Sequence, residues 1–245
     1  MDMVSKVLLL TGMFVVSVWA IDGEELLKKM DVNRDWKSIV STAKMEIVLD
    51  DETRVKTMEI AGVSDGNKSL VRFTNPEDEG TKYLMLGDNL WIYFPEENDV
   101  VKISGHMLKE GMMGSDVSYE DALEADKLSE RYAVEITGEE TYEGHDCYLL
   151  TLTAKVKDAP YFKRVMWVEK ERYVAWKEES FAKSGKKLKT ARVLEVKKVS
   201  GMWYPVKVEM VNSLRKNSRT VFTTETVEFG KALDDDMFTM RNLRR

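Results

Sequence analysis

Lys82-Tyr83-Leu84-Met85-Leu86-Gly87-Asp88-Asn89-Leu90-Trp91-Ile92-Tyr93-Phe94-Pro95 is the stretch on which the fold turns. Two short apolar runs flank Gly87-Asp88-Asn89, residue types that accept the left-handed backbone of a tight turn, so the stretch is a β-hairpin. Neither run alternates apolar with polar residues. A strand with one wet face would alternate, so this hairpin must be covered twice: by core on one face, and by helices, a partner or a ligand on the other.

Upstream, Lys68 to Thr74 forms another strand, stopped by Asn75-Pro76-Glu77-Asp78-Glu79-Gly80, where proline removes a donor and the acids favour solvent. Thr53 to Val63 alternates through Val55, Thr57, Glu59 and Ala61, and Asp65-Gly66-Asn67 supplies turn residues. Ala43, Met45, Ile47 and Leu49 face one side of a half-buried strand, with Lys44, Glu46 and Asp50 on or near the other. Before them, Glu24-Glu25-Leu26-Leu27-Lys28-Lys29-Met30 puts acids first and lysines last around an apolar face, the pattern of a short amphipathic helix.

Downstream, Val100 to Ile103 is a short strand, and then the β pattern breaks from Ser104 to Glu130. Gly105 to Ser115 mixes glycines with Met107, Met112 and Met113, and Ser118-Tyr119-Glu120-Asp121-Ala122-Leu123 looks like a capped helix start, so two short helices joined by glycines are predicted. Strands resume at Arg131 and continue to Phe229, broken by Tyr142-Glu143-Gly144-His145, Glu169-Lys170-Glu171-Arg172, Lys183-Ser184-Gly185-Lys186 and Ser200-Gly201, roughly the 8–12-residue spacing of antiparallel architectures. A helical turn at Asp234 to Phe238 closes the chain. The fold class is mainly β with short helices: a large antiparallel sheet of about eleven strands in up-and-down order, which must curl or split. Curled, it is a half-open β-barrel, and the N-terminal helix and the Ser104 to Glu130 insertion are the elements that can cover its concave side as a lid.

The chain opens with Lys6, an apolar run from Val7 to Val18, and Val18-Trp19-Ala20, the pattern of a secretory signal peptide. The run holds about 12 residues against the roughly 20 of a spanning helix. Cleavage after Ala20 is expected, with an uncleaved anchor as the alternative, leaving residues 21–245 as a single soluble β domain outside the cytoplasm. No cysteine stands near the cut, which closes the route to a lipid-modified N-terminus. Cys147 is the one cysteine, so no intrachain disulfide can form. Intermolecular pairing or a free reactive thiol remains open, but its place in the alternating Asp146 to Thr151 run favours a small buried hydrophobe.

A net charge of -6 with 33% charged residues leaves no basic excess for a phosphate backbone, so nucleic acid is not an expected partner. Lys183 to Lys189 reads as a solvated hairpin turn. His106 and His145 lie far apart without metal-ligand spacing and read as solvent-facing or loop residues. Ser64, Ser69 and Ser115 lack a nucleophile-elbow context, and no glycine-rich phosphate cradle follows a strand. Glu77-Asp78-Glu79 and Asp234-Asp235-Asp236 lack the spacing of a calcium loop. No catalytic residue, metal or cofactor is expected. What the chain offers is adaptable apolar surface: Met107, Leu108, Met112 and Met113 as a lid, with Tyr83, Leu84, Leu86, Trp91 and Tyr93 of the hairpin as candidate cavity residues. The bland alternative is that the methionines plug one end of the curled sheet and the aromatics are core.

The export signal, the Glu24-Glu25-Leu26-Leu27 helix, the Tyr83 to Pro95 hairpin, the Gly/Met insertion and the run Lys163-Arg164-Val165-Met166-Trp167-Val168-Glu169-Lys170 together resemble the bacterial outer-membrane lipoprotein-sorting proteins. The resemblance spans nearly the whole mature chain. It implies a half-open barrel lined with apolar side chains under a helical lid. It also implies a periplasmic carrier that shields the acyl chains of lipoproteins or another lipid on the way to the outer membrane, with an inner-membrane transporter and an outer-membrane acceptor as partners. A monomer is expected. Relatives of the same fold act as stress-signalling regulators, so an envelope sensor that binds lipid or protein signals and a membrane-anchored partner is the alternative. Those carriers place an arginine on an early strand; Arg54 and Arg72 are in the neighbourhood, and neither is matched to it.

Overall fold

The computed structural model describes residues 21–64, 67–123 and 128–245. The export signal and the cut after Ala20 concern residues 1–20 and lie outside the described residues, as do positions 65 and 66 of the Asp65-Gly66-Asn67 turn. The strands are β1 (Ser38–Leu49), β2 (Glu52–Val63), β3 (Lys68–Phe73), β4 (Lys82–Leu86), β5 (Asn89–Phe94), β6 (Asp99–Ile103), β7 (Tyr132–Tyr142), β8 (His145–Ala154), β9 (Lys163–Glu169), β10 (Ala175–Phe181), β11 (Lys187–Val199), β12 (Met202–Asn212) and β13 (Ser218–Phe229). The α-helices are α1 (Gly23–Asp31), α2 (Tyr119–Leu123), α3 (Leu128–Arg131) and α4 (Met240–Leu243).

Thirteen strands among the described residues form one antiparallel sheet, against the expected count of about eleven. Short runs such as Lys82–Leu86 and Asp99–Ile103 each pair as full strands. The order is β6-β5-β4-β3-β2-β1-β13-β12-β11-β10-β9-β8-β7, so β6 and β7 are free edges and the curled sheet stays half-open. Every neighbour is consecutive in sequence except β1 and β13, which pair from Ile39↔Phe229 to Leu49↔Ser218 with a bulge at Thr42/Ala43. The helical insertion therefore does not interrupt the middle of the sheet, as an up-and-down reading suggests. It straps one free edge to the other.

Three covers complete the sheet. Asp22 caps α1 by accepting from the Glu25 N–H (2.7 Å), with Glu24 and Glu25 in the first turn and Lys28 and Lys29 in the last, where the helix dipole favours each sign. Its buried stripe, Leu26, Leu27 and Met30, packs on Tyr132, Leu150, Leu152, Met166 and Val168 of β7–β9. Burial of each such side chain stabilises by roughly 1.5–3 kcal/mol. The helical turn that follows, Val32–Arg34, is clamped by Asn33, which donates to the Arg172 carbonyl (2.7 Å) and accepts from the Trp203 N–H (2.9 Å).

The second cover is the strap, and the third is the C-terminal segment, where the turn Asp235–Phe238 and α4 bury Phe238 and Leu243 on Leu84, with Leu86, Trp91 and Tyr93 packed around them. That segment is what hides the alternation of the β4–β5 hairpin. Its other face puts Tyr83, Leu90 and Ile92 in a core with Met45, Met58 and Phe73.

Cys147 is 1% exposed on β8, as a small hydrophobe, and burial pushes its thiol up to about 11. His145 departs from the solvent-facing expectation. Its ring stacks on Trp176 (centroids 4.1 Å apart, interplanar 4°) and its Nδ1 lies 3.3 Å from the Glu169 carboxylate, which Arg172 grips with two hydrogen bonds (2.7 and 2.8 Å). The basic stretch divides likewise: its turn residues are exposed, but Lys189 on β11 is 9% exposed.

Candidate functional site

The strap holds more helical pieces than the two expected: two short turns at its glycines, Gly105–Lys109 and Met112–Gly114, come before the short helices α2 and α3. Its glycines are needed for geometry: a Cβ on Gly111 would stand 2.0 Å from the Ser115 carbonyl oxygen, and Gly114 has φ +77. Over β1–β6 its grip is apolar. Leu108, Met112, Met113, Tyr119 and Leu123 pack on the inward face that carries Met45, Met58 and Tyr83, with the Tyr119 ring 5.9 Å from that of Tyr83. Burial pushes the Tyr83 hydroxyl's pKa well up, with Tyr119 adding to it, so the group stays neutral.

Over β11–β13 the grip is polar. Asp116, 1% exposed, accepts from the hydroxyls of Ser218 (2.6 Å) and Thr220 (3.1 Å), and its own N–H donates to Thr220 Oγ1 (2.9 Å). Arg215 donates to the carbonyls of Gly114 (2.9 Å) and Ser115 (3.0 Å). On α2, Asp121 accepts from Lys189, from the Ser118 hydroxyl (2.7 Å) and from the Tyr161 hydroxyl (2.5 Å). Burial works to raise the Asp121 pKa, but the Lys189 charge and these donors outweigh it and hold the carboxyl below its ordinary value. Burial and the same carboxylate push the Tyr161 hydroxyl up.

Register carries the inward face across the sheet: Met45 pairs with Phe222, Phe222 with Val208, and Val208 with Val193. Between this face and the Val32–Arg34 turn lies a groove of about 390 Å³, lined mainly by apolar and aromatic side chains including Met166, Val193, Val208, Phe222 and Trp203. It abuts a polar chamber of about 190 Å³, with which it shares Arg34, Glu178 and Ala191; Asp121, Arg164 and Lys189 also face that chamber. Arg164 is held between the rings of Tyr132 (5.1 Å) and Tyr161 (5.0 Å) and pairs with Glu178 (3.2 Å). No cluster of His, Cys, Asp and Glu able to hold a metal occurs among the described residues.

The nine expected site residues do not share one face. Tyr83, Leu108, Met112 and Met113 meet beneath the strap, and Met107 on its first turn is 37% exposed. Leu84, Leu86, Trp91 and Tyr93 lie on the opposite face under the C-terminal segment, one strand position out of phase with Tyr83 and Ile92. None of the nine lines the 390 Å³ groove. Its residues were within reach of sequence through the strand runs that carry Met166, Ala191 and Val193, Val208, and Phe222 and Thr224, but choosing their face requires the register. Arg54 reaches the strap, its Nη2 3.0 Å from where a Gly114 Cβ would sit, whereas Arg72 pairs with Glu59 in an exposed ion pair.

A family model described as an uncharacterized protein matches residues 65–245. No curated protein matches. Among solved structures, a DUF1329 family protein from Desulfovibrio piger is 28% identical, with a TM-score of 0.84 over 89% of this chain and 96% of that one. A protein described as an outer membrane lipoprotein-sorting protein domain, from Vibrio parahaemolyticus, is 24% identical with a TM-score of 0.81 over 91% and 98%. A LolA superfamily protein from Nitrosomonas europaea is 21% identical with a TM-score of 0.76 over 91% and 100%. The last two likenesses are of fold.

Proposed function

From the premise that this chain belongs to the family matched over residues 65–245, with the LolA-like fold of the outer-membrane lipoprotein-sorting proteins, we propose that it is a non-catalytic periplasmic carrier that binds acyl chains of lipids or lipoproteins. The observation that carries this reading is the 390 Å³ apolar groove between the Val32–Arg34 turn and the inward sheet face. That volume falls within the ~300–1,000 Å³ of ligand pockets. Each methylene taken from water into it is worth about 0.8 kcal/mol, enough to hold a long chain during passage through an aqueous compartment. Under this reading the chain is exported by cleavage after Ala20, works as a monomer of one domain, and receives cargo from an inner-membrane transporter for an outer-membrane acceptor. No helix among the described residues is long and apolar enough to cross a membrane. Tyr83, Leu108, Met112 and Met113 are proposed as the seal between strap and sheet.

The test is extraction of protein purified from its native envelope into organic solvent, with mass spectrometry of the extract, beside titration with a fluorescent fatty-acyl probe. Co-purified acyl species and saturable probe binding are expected. Neither appearing would sink the carrier. Met112→Asp, which sets a carboxylate into the apolar strap contact, is expected to weaken probe binding at least tenfold while shifting the thermal midpoint far less; unchanged affinity counts against a lid role.

A further inference from the structure

One end of the sheet carries a charge pattern that the acyl groove does not use. At this rim β8 ends, β9 begins, β10 ends, β11 begins and β12 ends. Backbone bonds join its loops edge to edge: the Ala154 N–H donates to the Phe162 carbonyl (2.9 Å), the Phe162 N–H to the Phe181 carbonyl (3.0 Å) and the Ser213 N–H to the Leu188 carbonyl (2.8 Å). Residues 155–163, 182–187 and 213–219 hold nine lysines and arginines against one acid, Asp158, in a chain whose net charge is -6. Asp158 is itself paired with Arg131 (3.3 Å). Lys155 and Arg215 donate to carbonyls of the strap, and Lys187 pairs with Glu179. Lys157, Lys183, Lys186 and Lys216 are exposed and form no ion pair among the described residues. Three large apolar side chains stand exposed among these lysines: Val156 (36%), Phe162 (40%) and Leu214 (55%). With neighbouring strands about 4.8 Å apart, β8 to β12 spans roughly 20 Å. Over β1–β6 the loops at the same end are acidic instead, through the exposed Asp50, Asp51, Glu52, Glu79, Glu96 and Glu97.

We propose that the rim of β8–β12 is a docking surface for an anionic lipid bilayer, with the lysines on the lipid phosphates and Val156, Phe162 and Leu214 in the headgroup boundary. A bilayer surface rewards both features at once, since basic side chains gain from the negative surface and apolar ones from leaving water. Protein interfaces are depleted in lysine, and a nucleic acid backbone offers nothing to exposed valine and leucine. The acidic loops over β1–β6 are repelled by the same surface, which tilts the sheet so that β8–β12 meets the lipid. Arg215 holds the strap as well, so docking brings the strap to the membrane, where a carrier meets its source or its acceptor. The docking surface stands on the rim and not on the acyl groove.

Co-sedimentation of the whole protein with vesicles of phosphatidylcholine, alone or mixed with phosphatidylglycerol, tests this. Binding is expected to be at least about tenfold tighter to the mixed vesicles. It is expected to weaken between about 0.1 M and about 1 M salt, as the screening length falls from about 10 Å to about 3 Å. Lys183→Glu with Lys186→Glu is expected to lower binding about tenfold, whereas Lys197→Glu with Lys198→Glu, an equal change of charge at the opposite end of β11, leaves most of it. Leu214→Cys, labelled with a polarity-sensitive dye while Cys147 stays buried, is expected to shift to the blue on mixed vesicles only. All substituted positions are exposed, and a circular dichroism melt checks their folding. Equal loss in the two lysine pairs assigns binding to net charge and overturns the rim, as does no preference for anionic vesicles. A dye that does not shift on bound protein overturns contact with lipid. Retention on heparin without vesicle binding makes the rim a site for a soluble polyanion and overturns the bilayer. Loss of docking with fatty-acyl probe binding intact leaves the carrier standing, and docking without probe binding leaves the rim standing.

Discussion

Lys189 and Asp121 join the strap to the sheet through one buried ion pair, with side chains 11% and 12% exposed. Removing one member leaves the other charged and stranded. Lys189→Met is therefore expected to cost about 3–5 kcal/mol in a urea melt. Lys189→Met with Asp121→Leu in the same chain should recover most of that loss, since a well-packed apolar pair of similar volume is often neutral relative to a buried ion pair. A double variant as unstable as the single would show that the Ser118 and Tyr161 hydroxyls, which also donate to Asp121, carry the contact instead. Nothing in the sequence marks Lys189 out. It sits among Lys183, Lys186 and Lys187, and only the β11 register separates an inward lysine from the solvated turn beside it.

Among the elements, the C-terminal segment has the plainest energetic role. Phe238, 4% exposed, and Leu243, 0% exposed, cover the outward face of the β4–β5 hairpin. Phe238→Ala is expected to cost about 3–5 kcal/mol by cavity formation. Ending the chain at Gly230 should expose Leu84, Leu86 and Trp91 together and drive self-association, measurable by light scattering and binding of an apolar dye. A truncated chain that stays monodisperse would mean that another part of the molecule covers that face. The need for a second cover was legible, because Lys82 to Leu86 and Leu90 to Phe94 fail to alternate. Its identity was not: Asp234 to Phe238 announces a helical turn but carries no mark of its docking place. The candidate site suffered from the same ambiguity, since a hairpin apolar on both faces gives no reason to prefer Tyr83 over Leu84 as the inward residue. The strap was legible as a break in period. Its polar half was not, because Asp116, Ser118 and Asp121 have the residue types of an ordinary helix cap.

For the molecule as a whole, the strand runs and their antiparallel order could be taken from turn spacing, but the pairing of β1 with β13 could not, and that pairing makes the insertion a bridge between free edges. A bridge gripped by apolar contacts over β1–β6 and by carboxylates over β11–β13 should open first on the carboxylate side. Asp121 is held below its ordinary pKa despite burial, and so is Glu169 beneath Arg172 and Trp176. For a depressed carboxylate the stabilisation is complete above the unfolded value of roughly 4 and is lost as pH falls through the folded value. Acyl-probe affinity is therefore expected to stay flat from neutrality to about pH 5 and to fall below about pH 4 as Asp121 takes up a proton and frees Lys189 from the strap. Asp121→Asn should begin weaker and lose that acid step in binding, while the acid loss of thermal stability tied to Glu169 persists. If Asp121→Asn keeps the step, acid release belongs to another carboxylate and the strap does not open where its polar grip lies.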